Sequence, residues 1–286
     1  MKIVLSLAVI AAFALCTDAK YKLCAFNVQV FGDRKMQDDK VTDTLVKIFR
    51  RYDVCLFQEI RDSSKNAIYD LVKKINEGQR KNERYAVAIS PRLGRSSSKE
   101  QYAFLYKPSV FSVKDQYVYE DKSYDSDKCA CMDDAFEREP FVVRFQTKRS
   151  KVKDFFFIGI HTQPTSAGSE IGALKVVYND AKKKYGIDDA IIMGDFNADC
   201  DYFKKSEKAR NPLFTDKRFE WLVPDTFDTT TKDSDCAYDR FVAVGDMRKA
   251  IKKNSVAVFD FKKAYGLSQD LTEKVSDHFP IELEVQ

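Results

Sequence analysis

The segment that follows Ala190 combines an apolar run with side chains that carry oxygen ligands. The run ends at Gly194, and the next five residues include Asp195, Asn197 and Asp199. Residues two apart in an extended strand lie on one side, so these three side chains would present oxygens together if the strand continues that far. A core strand that ends in an ordinary Asp- and Asn-rich turn is the alternative.

The sequence contains only two histidines, and each lies where an apolar segment meets polar sequence. His161 follows the apolar run 155–160, and His278 lies in Ser276-Asp277-His278-Phe279-Pro280. Imidazole is suited to proton transfer because its pKa is close to neutral pH. Taken alone, each histidine is more typical of a satisfied core residue. Their role therefore depends on the segments that accompany them.

These segments, together with Ala25-Phe26-Asn27, Gln58-Glu59 and Gly194-Asp195-Phe196-Asn197, resemble the endonuclease/exonuclease/phosphatase superfamily. Within it, the resemblance to the deoxyribonuclease I family is close and extends from about residue 21 to the C-terminus. Further segments that carry it are Gln58 to Ser63, Leu93-Gly94-Arg95, Arg138-Glu139-Pro140, Cys236 to Arg240 and Phe259-Asp260-Phe261. The segment 99–107 is nearer to the gamma-type branch, but no basic tail follows Gln286, so the branch stays open.

The resemblance implies a divalent metal ion, Mg²⁺ or Mn²⁺, that is held by Glu59, Asp195 and Asp277. A hard cation of this kind prefers oxygen ligands, and Mg²⁺ keeps several waters. Because Glu59 ends a predicted strand, we expect its carboxylate to be exposed at the sheet edge. A surface residue at a helix entry is the alternative for Glu59 alone. Asn27 and Asn197 are implied to stabilise the charge on phosphorus in the transition state.

The resemblance also implies how the two histidines work. Glu100 would orient His161 and Asp239 would orient His278, so that each imidazole has a carboxylate to fix its tautomer. One histidine is then the general base and the other the general acid; the sequence does not say which. The implied reaction is hydrolysis of phosphodiester bonds in double-stranded DNA, with little sequence preference and with 5′-phosphate ends.

Residues expected to bind the substrate are only partly those of the family. Arg61 and Arg138 stand at positions that resemble DNA-contacting arginines, and Tyr202 supplies an aromatic side chain beside the site. Three positions depart from the family pattern and predict weaker DNA binding: Gln29 in place of an arginine, Ser98 in place of a tyrosine, and Asp201 in place of a small polar residue.

Two loops resemble family sites for structural Ca²⁺. Asp228, Thr230 and Ser234 correspond to the first, although Lys232 stands where a small polar residue is usual. The second would use Asp127, Asp134 and Glu139. An ordinary acidic loop is the alternative in both cases.

The elements that must position these residues alternate between strands and helices. Hydrophobic periodicity predicts strands near 21–30, 53–60, 84–90, 101–107, 110–119, 140–147, 154–161, 238–244 and 280–285, with another leading into Asp195. It predicts helices near 38–51, 63–77 and 169–185. Periodicity alone indicates an α/β or α+β protein. The resemblance implies an α+β fold, a four-layer αββα sandwich of two packed mixed β-sheets flanked by helices.

The N-terminus predicts export. Lys2 precedes an apolar run from Ile3 to Leu15 and a small residue, Ala19, which together are typical of a secretory signal peptide over residues 1–19. The run is too short for a membrane span, which needs roughly 20 apolar residues. We expect residues 20–286 to form a single nuclease domain that is secreted. The net charge of +4 permits a polyanionic partner without requiring one.

Cysteine usage agrees with export, since six of the seven cysteines follow residue 19. The resemblance implies a disulfide between Cys200 and Cys236. It also maps a second bridge to Cys129 and Cys131, but only one residue separates them, so this bridge is left open.

Cys24 and Cys55 lie on predicted strands. If Asn27 and Glu59 share one face, strict alternation sends the two thiols to opposite faces. We therefore expect two free, buried thiols.

Several other functions compete with that of a deoxyribonuclease. Other phosphodiesterases of the superfamily, such as a sphingomyelinase, an abasic-site endonuclease or an inositol-polyphosphate phosphatase, would use a similar centre. A catalytically silent binding relative is a different class, and the intact histidines and acidic residues argue against it. We expect a monomer that binds actin weakly or not at all, because Val87, Ile89 and Phe141 depart from the residues expected at the actin contact.

Overall fold

The computed structural model describes residues 20–121 and 134–286. The predicted signal peptide, Asp127 and the Cys129–Cys131 pair lie outside these ranges. The strands are β1 (Tyr21–Phe31), β2 (Val54–Ile60), β3 (Ala86–Ile89), β4 (Gln101–Tyr106), β5 (Phe111–Val118), β6 (Phe141–Thr147), β7 (Asp154–His161), β8 (Ala190–Asp195), β9 (Glu220–Trp221), β10 (Asp239–Val244), β11 (Ala257–Val258) and β12 (Ile281–Val285). The α-helices are α1 (Asp33–Met36), α2 (Asp39–Phe49), α3 (Ala67–Asn76), α4 (Ala167–Tyr185), α5 (Lys205–Lys208), α6 (Pro212–Thr215), α7 (Met247–Ala250), α8 (Phe261–Tyr265) and α9 (Gln269–Val275).

The strands form two six-stranded mixed sheets. Their orders are β11-β12-β1-β2-β4-β3 and β5-β6-β7-β8-β10-β9. Each sheet contains one parallel pair, β1 with β2 and β7 with β8, while the other pairs are antiparallel. Helices α2 and α4 lie between the strands of these parallel pairs in the sequence, as a crossover connection requires.

Three hydrophobic cores hold four layers together. One core lies between the sheets and includes Leu56, Phe104 and Phe157. The second packs the first sheet on α2 and α3, and the third packs the second sheet on α4. The predicted α+β sandwich is therefore confirmed, and both faces of the central strands are buried.

Side-chain caps account for where two helices begin. The Asp38 carboxylate accepts hydrogen bonds from the backbone N–H groups of Lys40 and Val41 at the start of α2. Helix α3 was predicted from residue 63 and begins at Ala67, because the Asp62 carboxylate accepts from the N–H groups of Ser64 and Ala67 and holds the chain in a turn. No helix in the described ranges has both the length and the apolar character to cross a membrane.

The cysteines differ in part from the prediction. Cys200 and Cys236 form the expected disulfide, with their Cα atoms 6.0 Å apart. Cys24 and Cys55 are free and buried, as expected, but they are neighbours in register on β1 and β2 and face the same core. The prediction of opposite faces was wrong because Glu59 has a positive φ of 59°, which breaks the alternation on which it depended.

Candidate active site

One edge of the sandwich collects the carboxyl ends of both parallel strand pairs. Asn27 lies on β1, Glu59 near the end of β2, and His161 and Asp195 at the ends of β7 and β8, where they are partners in register. All four are at most 9% exposed. The crossover topology therefore brings together polar residues that are far apart in the sequence.

The backbone at this edge is locally irregular. Of the eight non-glycine residues with positive φ in the described chain, four lie here: Gln29, Val30, Glu59 and Asn197. Such conformations cost free energy and concentrate at functional sites. At Gly194, whose φ is 134°, an added Cβ would lie 2.1 Å from the carbonyl oxygen of Ile160, so only glycine permits this close approach of β7 and β8.

Gln58 links the two sheets directly behind the site. Its side-chain Nε2 donates to the Ile160 carbonyl at 2.7 Å, and its Oε1 accepts from the Asp195 N–H at 3.1 Å. The side chain is fully buried. From the sequence, Gln58 was noted only as the neighbour of Glu59. The signal of its positioning role was an amide side chain directly after the apolar run 54–57.

The first histidine pair joins the two sheets. His161 Nδ1 lies 2.8 Å from Glu100 Oε2, and Glu100 Oε1 accepts from Arg61 at 2.6 Å and from Arg138 at 3.4 Å. Burial would raise the pKa of Glu100, but His161 and the two arginines outweigh it and lower that pKa to about 2. Burial and Arg138 would lower the pKa of His161, whereas Glu100 and Asp195 raise it above its usual value.

The second pair has the same spacing but no arginine. His278 Nδ1 lies 2.8 Å from Asp239 Oδ2. Burial would lower the pKa of His278, but Asp239, Asp195 and Asp277 raise it well above its usual value. Burial also raises the pKa of Asp239, which weakens its attraction for the imidazolium form of His278. The pKa of His278 is nevertheless raised, because three carboxylates surround the ring.

Both pairs converge on a single carboxylate oxygen. His161 Nε2 and His278 Nε2 each lie 3.5 Å from Asp195 Oδ2, so the two nitrogens are no further apart than twice that distance. Asn27 Nδ2 donates to the same oxygen and to Glu59 Oε1, both at 3.1 Å. Burial would raise the pKa of Asp195, but the two imidazoles lower it.

Of the polar residues that follow β8, only Asn197 stays beside Asp195. The Asn197 N–H donates to Asp195 Oδ1, and its side-chain Nδ2 donates to the Thr162 carbonyl, both at 3.0 Å. Asp199 turns away, accepts from the N–H of Ala237 and pairs with Lys208 at 3.4 Å. The expectation that it would join Asp195 and Asn197 was wrong, because the strand ends at Asp195 and Asn197 has a φ of 47°.

The predicted metal ligands are all carboxylates, the ligand type that Mg²⁺ prefers. Glu59 is 9% exposed, so the expectation of an exposed carboxylate was wrong. Asp277 Oδ1 is buried and has no hydrogen-bond partner among the described residues. In the described ranges, the one set of three ligand atoms within 4.8 Å of one another comes from Asp195, Asp239 and His278, which differs from the predicted set. Because Asp239 and His278 bind each other, we favour the oxygens of Glu59, Asp195 and Asp277.

Comparison with known proteins identifies a family and named relatives. The sequence profile of the Endonuclease/Exonuclease/phosphatase family matches residues 24–278. The chain is 43% identical over 263 residues to deoxyribonuclease-1 of Oryctolagus cuniculus, covering 92% of this chain and 91% of the relative. It is 44% identical over 267 residues to human deoxyribonuclease gamma, covering 93% and 86%.

The chain belongs to the deoxyribonuclease I family. The resemblance seen in the sequence is thus confirmed, as is the prediction of a deoxyribonuclease-type hydrolase. Solved structures support the fold alone. An endonuclease/exonuclease/phosphatase from Bacteroides vulgatus gives a TM-score of 0.60 at 14% identity, covering 93% of this chain and 98% of that one. The human Nocturnin catalytic domain gives 0.57 at 11% identity, covering 94% of each chain.

The residues expected to contact substrate occupy different depths of this deoxyribonuclease-family site. Arg61 is partly exposed at the mouth, where its guanidinium pairs with Glu100. Tyr202 is 41% exposed, and its ring lies 5.4 Å from that of Tyr238. Arg138 is 6% exposed and donates to the carbonyls of His161 and Thr162. Arg138 therefore lies behind His161, and its contact with DNA stays a prediction.

Two residues that depart from the family pattern meet on one carboxylate. Gln29 Nε2 donates to Asp277 Oδ2 at 2.8 Å, and Lys232 Nζ lies 3.5 Å from the same oxygen. Lys232 is therefore a half-exposed cation at the mouth, on the His278 side. From the sequence, Lys232 was noted only as an unfavourable residue in a calcium loop. Its positive charge was the signal that it could contact a phosphate.

The first predicted calcium loop is closed by its own hydrogen bonds. Asp228 Oδ1 accepts from the N–H groups of Thr230 and Cys236, and the Thr230 hydroxyl lies within hydrogen-bond distance of both Asp228 Oδ1 and the Ser234 carbonyl, to one of which it can donate. With Lys232 in the same loop, these residues do not fit a bound Ca²⁺. At the second loop Asp134 pairs with Arg95 at 3.1 Å, and Asp127 lies outside the described residues, so that site stays a prediction.

Phe141, which was expected at the actin contact, lies in the core. Phe141 is 1% exposed and packs against Phe104 between the sheets. It cannot add bulk at a surface contact, so that part of the argument was wrong. Val87 and Ile89 are half-buried on β3.

Proposed function

We propose that this protein is a divalent-metal-dependent endonuclease that hydrolyses phosphodiester bonds of double-stranded DNA with little sequence preference. The observation that carries the proposal is the convergence of two carboxylate-bound histidines on Asp195, each with Nε2 at 3.5 Å. Relatives named deoxyribonuclease-1 and deoxyribonuclease gamma support DNA as the substrate.

The histidines divide the two proton transfers between them. Glu100 and Asp239 occupy the Nδ1 atoms, so the Nε2 atoms, which lie beside Asp195, are the ones assigned to face the scissile phosphodiester. One Nε2 takes a proton from the attacking water and the other gives a proton to the departing 3′ oxygen, so the cut leaves a 5′-phosphate. We assign Asn27 and Asn197 to stabilising charge on the phosphoryl oxygens; Asn27 Nδ2 must then release one of its two acceptors, Glu59 Oε1 or Asp195 Oδ2.

The acidic floor would hold the metal ion. Glu59, Asp195 and Asp277 would bind Mg²⁺ or Mn²⁺, which prefer oxygen ligands. When bound, the ion supplies positive charge that stabilises the developing negative charge on the phosphoryl group. Asn27 bridges Glu59 and Asp195 and so keeps two of these carboxylates in place.

Substrate binding is assigned to the rim of the site. We assign Arg61 and Tyr202 to direct contacts, since both are accessible there, and Arg138 to holding Glu100 and the His161 backbone. Lys232 adds a cation on the opposite side of the mouth. The altered positions Gln29, Ser98 and Asp201 support weaker DNA binding than is usual in the family.

The remaining expectations concern the whole protein. We propose that residues 1–19 are removed as a signal peptide and that residues 20–286 act as a secreted, monomeric, single-domain enzyme. Monomeric actin should inhibit it weakly or not at all, since Val87 and Ile89 stand where an aromatic and a small β-branched anchor would be expected. Nanomolar inhibition would contradict this.

The experiment is to incubate purified protein with supercoiled plasmid in Mg²⁺ plus Ca²⁺, or in EDTA, and to analyse the ends. We expect nicking only with the metal ions, and products that DNA ligase reseals without prior phosphorylation. Cleavage in EDTA, or ends that need phosphorylation, would contradict the mechanism. Hydrolysis of sphingomyelin with no DNA cleavage would favour the other superfamily activity.

A further inference from the structure

The turn between β6 and β7, residues 148–153, carries a concentration of positive charge. Lys148, Arg149, Lys151 and Lys153 are all exposed, whereas the two residues between them are buried. None of the four forms an ion pair with a described residue, while the net charge of the whole sequence is only +4. We call residues 148–153 the basic turn. Its four cations concentrate in six residues as much positive charge as the whole chain carries in net terms.

Hydrogen bonds fix the shape of the basic turn. The Thr147 N–H donates to the Lys153 carbonyl at 2.9 Å, which closes the turn. The Lys151 N–H and the Ser150 hydroxyl both donate to a C-terminal carboxylate oxygen of Gln286, at 3.1 and 2.9 Å. The cations are thus presented from a backbone that is tied to β6, β7 and the C-terminus, so a partner need not order the backbone first.

The surroundings of the basic turn neutralise it only in part. On one side, Lys151 and Lys153 share a groove with Asp189 and Asp246, of which Asp189 accepts two backbone hydrogen bonds and Asp246 pairs with Lys249. An open groove of about 680 Å³ separates it from the start of β5 and adds Lys114 to its rim. The nearby carboxylate, Asp154, is already bound by Arg144 at 2.8 and 2.9 Å and by Gln146 at 2.7 Å. A negatively charged ligand would therefore meet cations without an opposing free carboxylate in this groove.

The basic turn is well separated from the catalytic edge. Strand β7 starts next to the turn and ends at His161, and eight extended residues span about 23 Å. A DNA duplex that lies across the histidines cannot contact the turn without a sharp bend, which its stiffness opposes. The turn is therefore a surface distinct from the active site.

We propose that the basic turn is a second DNA-binding surface, which holds the phosphate backbone of a distant segment of the polymer while the catalytic edge cuts. The proposal rests on DNA being the substrate, as inferred above. A duplex presents one negative charge per roughly 1.7 Å of its axis, so a short stretch can contact all four cations, whereas a small anion would reach one or two.

Binding is tested in the His161→Ala background, which keeps the DNA intact. The test variant replaces Lys148, Arg149, Lys151 and Lys153 with Gln. The matched control replaces Lys40, Lys81, Lys183 and Lys263 with Gln, because these are exposed and unpaired but scattered over the described surface. Both variants lose four charges. Affinity for a long fluorescent duplex is measured by anisotropy across a salt series.

We expect the test variant to bind at least about tenfold more weakly than the control and to have a smaller salt slope, since each lost phosphate contact removes roughly 0.9 from it. With His161 intact, the test variant should nick plasmid more slowly than the control. Both variants should cut a duplex of about ten base pairs at the same rate, since such a duplex, about 34 Å long, is stiff and has no distant segment that could contact the basic turn while the catalytic edge holds it.

Equal affinities and equal salt slopes for the two variants would overturn the proposal. If the test variant instead loses binding only to heparin or to phosphatidylserine vesicles, the basic turn serves another polyanion and the DNA assignment is wrong. A wild-type protein that binds DNA through the basic turn but never cuts it would contradict the proposed function alone.

Discussion

The two histidine–carboxylate pairs share one geometry and differ in their surroundings. In both, Nδ1 lies 2.8 Å from a carboxylate oxygen and Nε2 lies 3.5 Å from Asp195. Glu100 also binds Arg61 and Arg138, whereas Asp239 has no ion pair with an arginine or lysine in the described chain. Glu100 thus orients His161 and neutralises two arginines, whereas the ion pair of Asp239 is with His278.

This difference predicts which substitutions should affect turnover alone and which should also lower the free energy of unfolding. Removal of a buried partner leaves an uncompensated charge, which costs about 3–5 kcal/mol. Only Glu100 has arginine partners that would be left in this way. Each carboxylate is nevertheless needed to hold its imidazole.

The largest expected effect is on turnover. Asp239→Asn and Glu100→Gln should each lower kcat by about a hundredfold or more, the usual scale for general acid–base catalysis. Only Glu100→Gln should also lower the melting temperature by several degrees. Plasmid-nicking kinetics and thermal unfolding measure the two effects, and Glu284→Gln, far from the site, is the control. A large loss of stability in Asp239→Asn with none in Glu100→Gln would invert the comparison.

The next effect is on stability as a function of pH. The pKa of Glu100 is about 2 in the fold and about 4.3 when unfolded. A lowered carboxylate pKa stabilises the fold above the unfolded value, and this contribution is lost as pH falls through the folded value. The difference in unfolding free energy between wild type and Glu100→Gln should shrink by at most about 3 kcal/mol from pH 5 to pH 2. Urea unfolding measures it; a difference that is constant with pH would show that Glu100 is not held by its cations.

A smaller effect should distinguish the cations on the two sides of the mouth. The Lys232 side chain is 52% exposed and that of Arg61, which is bound by Glu100 on the other side, is 32% exposed, so Lys232 is the more accessible to a phosphate. Lys232→Ala should raise KM for duplex DNA several-fold with kcat within about twofold, the pattern of lost ground-state binding. Lys40→Ala should change neither. If Lys232→Ala lowers kcat alone, Lys232 acts on the acidic centre and not on the substrate.

The sequence was most informative where residue types are rare. His161 and His278 are the only histidines, and their positions where apolar segments meet polar sequence drew attention to both. The αββα sandwich, the Cys200–Cys236 disulfide and the roles of the histidines followed from the family resemblance. Helix α2 followed from its apolar stripe, because amphipathic spacing depends on the local sequence alone.

Strict alternation failed where the backbone leaves the extended conformation. Glu59 and Asn197 have positive φ. The predicted position of Asp199 and the predicted opposite faces of the Cys24 and Cys55 thiols depended on alternation through these positions. The burial of Phe141 and Arg138 depends on how the two sheets stack, which no local pattern encodes. For the same reason, only the structure brings Gln29 and Lys232 together on Asp277.

The central claim is that two carboxylate-bound histidines beside Asp195 cut DNA. The most direct test compares the rates of plasmid nicking by wild type, His161→Ala, His278→Ala and the double variant in Mg²⁺ plus Ca²⁺, with circular dichroism to confirm folding. We expect each single variant to lose about a hundredfold or more, and the double variant to be little worse than the slower single one, because the residues act as a unit. Near-normal nicking by either folded single variant would contradict the claim.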